Sequence, residues 1–148
     1  MSLLVTLKDA MKDAMRAKDK MRLGTIRMAL AAIKQREIDD RITLTDAEIT
    51  SIIVKMVKQR HDAHDQYHDA GRQDLADIEA NEISVLESFL PKPLTEEEIL
   101  SLIDTAITDC NAAGMQDMGK VMGFIKSRAE GRADMGNISG LIKQKLTA

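Results

Sequence analysis

The stretch DMGKVMGFIKSR, residues 117–128, returns 17 positions later as DMGNISGLIKQK, residues 134–145. Six of the 12 positions are identical and three more are conservative. In each copy the apolar side chains recur at helical spacing: Met118, Val121, Met122 and Ile125 share one face, and Met135, Ile138 and Ile142 share the matching one. Asp117 and Asp134 fall where a helix N-cap belongs, supplying acceptors for the free amides of the first turn. The repeat therefore predicts two successive amphipathic helices. Each carries a flanking stripe of two glycines and a lysine, Gly119, Gly123 and Lys126 in one, Gly136, Gly140 and Lys143 in the other. A glycine inside a helix costs roughly 0.5–1 kcal/mol relative to alanine, so four cost about 2–4 kcal/mol. Two demands justify bare backbone there. One is close packing of helix on helix. The other is the approach of a polyanion such as an RNA phosphate chain, with Lys120, Lys126, Arg128, Arg132, Lys143 and Lys145 neutralising it.

Outward from the repeat, every segment reads as helix. Leu4, Leu7, Met11 and Ala14 form one apolar stripe, and Ile26, Leu30 and Ile33 mark a second helix from about 20 to 40. Thr45-Asp-Ala-Glu48 has capping-box spacing and opens a third helix bearing Ile49, Ile52, Ile53, Met56 and Val57. That helix is predicted to end near Gly71, and a fourth uses Leu75, Ile78, Leu86 and Phe89. Pro91-Lys-Pro93 stops it and makes a stiff joint. Beyond the joint Thr95-Glu-Glu-Glu98 is a second capping box, opening a helix that buries Ile99, Ile103, Ala106 and Cys110 and ends near Gly114. The expectation is an all-α chain: an N-terminal helical domain of about four helices over residues 1–90, and a smaller three-helix domain over residues 95–148.

Composition supports this and narrows the rest. Of 148 residues 44% are apolar and 30% charged, a globular balance. Tyr67, Phe89 and Phe124 are the only aromatics, so the core is expected to be Leu, Ile, Val, Ala and the ten Met. The single Cys110 excludes an internal disulfide and is read as a small buried hydrophobe. With no signal-peptide pattern and no membrane-length apolar run, a cytoplasmic protein without a membrane partner is expected. Net charge is −3 but unevenly spread: +4 over residues 1–42, −10 over 43–114 and +3 over 115–148. Basic ends around an acidic middle fit either an RNA contact or pairing within the chain.

Other clusters carry less chemistry. His61, His64 and His68 share a face of the third helix among Asp62, Asp65 and Asp69, which reads as a solvated face rather than a metal site. Lys55, Lys58 and Arg60 read as solvated, with Asp74 or Asp77 as partners. No P-loop, Ser/His/Asp set, dinucleotide fingerprint or zinc-finger spacing occurs, so no catalytic residue, cofactor or metal is assigned.

Taken together, Lys58-Gln-Arg60, 70–75 (AGRQDL), 87–91 (ESFLP), 94–99 (LTEEEI) and 117–123 (DMGKVMG) resemble the GatB/YqeY family. The family's members include free-standing relatives of the tail of the aminoacyl-tRNA amidotransferase B subunit. The resemblance implies an all-α protein that binds tRNA or is associated with it. Amidotransferase subunits or an aminoacyl-tRNA synthetase are its implied protein partners. It also implies the label carbon–nitrogen ligase with glutamine as amido-N-donor, although neither a kinase-like catalytic domain nor an amidase triad is present in the chain. The alternative reading is a protein–protein assembly factor whose glycine stripes dock a partner helix, with no RNA and no catalysis.

Overall fold

The computed structural model describes residues 2–147. It is all-α, with no strand among the described residues. Among the described residues seven α-helices follow one another: α1 (Leu3–Arg16), α2 (Lys20–Asp40), α3 (Asp46–Asp69), α4 (Gln73–Glu87), α5 (Glu96–Asp109), α6 (Met118–Ala129) and α7 (Met135–Thr147). A 3₁₀ turn, Met115–Asp117, precedes α6. The chain divides into two compact units, Met1–Leu90 and Pro91–Ala148.

In the first unit the helix starts are set by side-chain oxygens. Ser2 accepts from the Val5 amide, Asp19 from Arg22, and Thr45 forms the full capping box with Glu48. Between α3 and α4 the chain reverses at Gly71, whose φ of +74° is the left-handed conformation that glycine adopts without strain. The α3–α4 hairpin is the most extensive helix pairing of the unit. Its core joins Leu7, Ala29, Ile33, Ile49, Ile53 and Leu86, and a second cluster joins Ala14, Ile26 and Val85. Burying each such Leu or Ile side chain contributes about 1.5–3 kcal/mol.

Three expectations about this unit are corrected. Ile78 does not face inward but is 51% exposed, because Ala76, Ile83 and Leu86 form the buried line of α4. Methionine is not the core filler expected. Met56 is the one buried methionine among the described residues, whereas Met15, Met21 and Met28 are exposed and branched Ile and Leu fill the sealed positions. Nor is Arg60 a solvated cation. Its Nε donates to Glu82 of α4 at 2.8 Å and its Nη1 to the Met56 carbonyl at 3.1 Å, in a largely buried pair. Asp74 pairs instead with Arg72.

The second unit packs α5, α6 and α7 around Ile103, Ala106, Val121, Ile125, Ala129, Ile138 and Ile142. Arg132, in the α6–α7 turn, ties down the segment ahead of α5. Its carbonyl accepts from the Leu94 amide at 2.8 Å and its Nε donates to the Lys92 carbonyl at 2.9 Å. Thr95 caps α5 through the Glu98 amide, and its hydroxyl donates to the Glu98 carboxylate. The helix stops at Asp109, earlier than expected, because Asn111 takes the left-handed turn at φ +51° ahead of Gly114. Cys110 is half-buried rather than sealed, its Sγ lying 3.7 Å from the Lys120 carbonyl oxygen.

Candidate nucleic-acid interface on α6 and α7

The two copies of the repeat become α6 and α7, yet their N-terminal aspartates act differently. Asp134 is a true cap, accepting from the Gly136 amide at 2.9 Å. Asp117 makes no cap bond to α6. It turns back and accepts from Ala113 at 2.8 Å and Gly114 at 3.4 Å, closing the 3₁₀ turn instead. The Ala113 amide above all holds the Asp117 carboxyl below the usual aspartate range; desolvation opposes it, and the Gly114 amide and the positive charge of Lys120 add smaller pulls in the same direction as Ala113.

The buried line of α6 runs through Val121, Ile125 and Ala129, and that of α7 through Ile138 and Ile142. Gly119, Gly123 and Lys126 lie roughly 100–160° round the helix from that line, and Gly136, Gly140 and Lys143 hold the equivalent places on α7. All six are exposed. The expectation that the stripe flanks the core is corrected accordingly: it occupies the outer face. A Cβ added at Gly119, Gly123 or Gly140 would meet nothing within 4 Å, and one at Gly136 would meet only the capping Asp134 oxygen at 3.3 Å. Close packing within the described chain is therefore not what these glycines serve. Neither Lys126 nor Lys143 has an ion-pair partner among the described residues.

The remaining basic residues do not join that face. Side chains two positions apart on a helix point roughly 160° apart, so Arg128 and Lys145 swing away from Lys126 and Lys143. Lys145 reaches α5 and forms an ion pair with Asp104. Arg128 lies with its guanidinium carbon 3.7 Å from the Phe124 ring centroid and donates from Nη1 to the Phe124 carbonyl at 2.8 Å. Together with Arg132 it lines a groove against α5. Lys120 is exposed near Asp117. Of the ten predicted residues, six thus form an outer Gly–Lys stripe on each helix and two an arginine-lined groove, while Lys120 and Lys145 join neither. Sequence reasoning missed Phe124, Ser101 and Thr105 as neighbours of Arg128. The spacing of Phe124 and Arg128, four residues apart, was the available signal.

Charge is sorted by helix in this unit. Residues 118–147 carry six basic and two acidic side chains, whereas α5 carries five acidic and no basic ones. A polyanion is accordingly met by α6, α7 and the turn between them rather than by the acidic residues of α5.

Elsewhere, His64 bonds Asp65 at 3.2 Å and stacks on His68, which meets Gln73 at 3.0 Å, while His61 lies 3.9 Å from Glu87. Among the described residues no three His, Cys, Asp or Glu side chains are grouped to hold a metal ion. No described helix is long and apolar enough to cross a membrane.

Curated relatives carry the name "Altered inheritance of mitochondria protein 41, mitochondrial". The one from Clavispora lusitaniae is 38% identical over 98 residues, covering 66% of this chain and 57% of that protein. The one from Kluyveromyces lactis is 36% identical over 72% of this chain and 59% of its own length. The one from Pyrenophora tritici-repentis is 33% identical over 132 residues, 85% of this chain and 72% of its own. The match thus spans under two thirds of the first two relatives. Their names overturn the expectation of a cytoplasmic setting and point to mitochondria. A lone cysteine excludes an internal disulfide but does not discriminate among reducing compartments. A family model described as "Yqey-like protein" matches residues 4–146, nearly the whole length, and the chain belongs to the Yqey-like protein family.

Proposed function

We propose that this protein is a helical module that grips the sugar–phosphate backbone of structured RNA, tRNA in the first place, through the outer faces of α6 and α7. One observation carries the reading. Three glycines, Gly119 in the first turn of α6 and Gly123 and Gly140 inside α6 and α7, front open space in line with lysines that have no ion-pair partner among the described residues. Bare backbone beside a free cation suits a phosphate chain, which approaches closely and takes hydrogen bonds and charge together. The choice of tRNA rests on the resemblance to the amidotransferase tail, and the role is that of an accessory in that chemistry rather than of its catalyst. Scarce aromatics favour recognition of paired RNA by shape over stacking on unpaired bases.

Fluorescence anisotropy with a labelled tRNA at several salt concentrations tests this. In the Lys126→Ala/Lys143→Ala double variant affinity falls, and the slope of log K against log salt shrinks by about 2, one per lost phosphate contact. An unchanged slope and affinity refute it. If tRNA binds neither protein while Gly123→Leu abolishes capture of a polypeptide partner, the stripes serve protein assembly instead.

A further inference from the structure

The groove between α5 and α6 has the chemistry of a phosphate site. It is a shallow, open groove of about 330 Å³, lined by Glu98, Ser101, Leu102, Thr105, Arg128 and Arg132 among others. The contrast with α7 is informative. Lys145 holds the repeat position that Arg128 holds in α6, and its charge is met inside the fold by Asp104. Arg128 instead shares the groove lining with Ser101 and Thr105, and its Nη1 also donates to the neighbouring Ser127 hydroxyl at 3.2 Å. Neither Arg128 nor Arg132 has a carboxylate within ion-pair distance among the described residues. Glu98, the one acidic residue of the lining, is engaged by the Thr95 hydroxyl at 3.1 Å.

Both guanidinium groups are also held in place. Arg128 rests on the Phe124 ring and is bonded to its carbonyl, and Arg132 is fixed through Nε to the Lys92 carbonyl. Their forks are thereby oriented before any ligand arrives, which lowers the ordering cost of binding. Ser101 and Thr105, one turn apart on α5, stand across the groove. The Thr105 hydroxyl already donates to the Ser101 carbonyl, which leaves the Ser101 hydroxyl as the donor for a ligand oxygen. Two oriented guanidiniums and a hydroxyl offer more than enough donors for the two non-bridging oxygens of a backbone phosphodiester.

We propose that this groove binds one phosphate group, contributed by the RNA backbone, as a contact separate from the Gly–Lys stripes. The identity of the ligand rests on the RNA reading, and the chemistry of the site does not. The test is a nuclear magnetic resonance titration of the ¹⁵N-labelled full chain with inorganic phosphate, held at constant ionic strength with chloride. Saturable shifts are expected at the Arg128 and Arg132 side chains and the Thr105 amide. They weaken at least tenfold in Arg128→Gln and persist in Lys126→Ala/Lys143→Ala. Shifts that chloride reproduces, or that survive intact in Arg128→Gln, overturn the site. A short duplex RNA is then added to the phosphate-saturated protein. Competition at the same resonances supports RNA as the source. Saturation by phosphate with no response to duplex RNA overturns that source and leaves a site for a free phosphate compound. Loss of tRNA binding in the stripe variant is read separately by anisotropy, so the two proposals fail independently.

Discussion

Replacing Gly119, Gly123 and Gly140 together by alanine should make the protein more stable and worse at its task. None of the three has a positive φ, and the added methyl groups meet nothing within 4 Å. The folded state therefore accepts them without strain, while the unfolded chain loses conformational freedom. At roughly 0.5–1 kcal/mol for each of the helix-interior Gly123 and Gly140, the triple variant gains about 1–2 kcal/mol, with a smaller addition from Gly119 in the first turn of α6. Urea unfolding followed by circular dichroism reads this as a higher midpoint at unchanged slope. Two glycines serve as controls. Gly24, exposed in α2 with equal space around it, should give a similar single-site gain with no loss of tRNA affinity. Gly136→Ala should gain less, because its Cβ comes to 3.3 Å from the Asp134 oxygen that caps α7. In anisotropy the triple variant should bind tRNA more weakly, the methyl groups holding the phosphates off the backbone. A destabilised triple variant would mean that the stripes are packed inside the fold. A stabilised variant with undiminished tRNA binding would mean that the bare backbone serves no ligand, and the proposed grip would fall.

Two further outcomes follow from the geometry. Glu82→Ala should cost about 1.5–3 kcal/mol in urea unfolding, since it strands the largely buried Arg60 guanidinium, while Asp74→Ala, whose Arg72 partner is exposed, should change stability little. The folded-state pKa of Asp117 is depressed, so its contribution is present above the unfolded value and is lost as pH falls through the folded one; Asp117→Asn should flatten the acid limb of the stability–pH curve below about pH 4, and an unchanged limb would refute the assignment.

Local rules made much of this protein legible in advance. Thr45 and Thr95 mark the starts of α3 and α5 because a hydroxyl reaches an amide three residues on, whatever surrounds it. Gly71 marks a helix end because only its neighbours' backbone decides the turn. The buried lines of α6 and α7 follow from a period of 3.6 residues. Other features depend on residues far off in the chain. Arg60 finds Glu82 across the α3–α4 hairpin, and Lys145 finds Asp104 on α5, 41 positions away. Asp117 looked like a second copy of the Asp134 cap, but the amides of Ala113 and Gly114 came within its reach first. Above all, periodicity separates one helix face from another without saying which neighbour covers it. That α5 lies against the Arg128 side of α6, and leaves the glycines uncovered, was settled by how three helices share one core. Helix formation is local and its signals lie within a turn or two. Coverage of a face is a collective property of packing, written in no single segment.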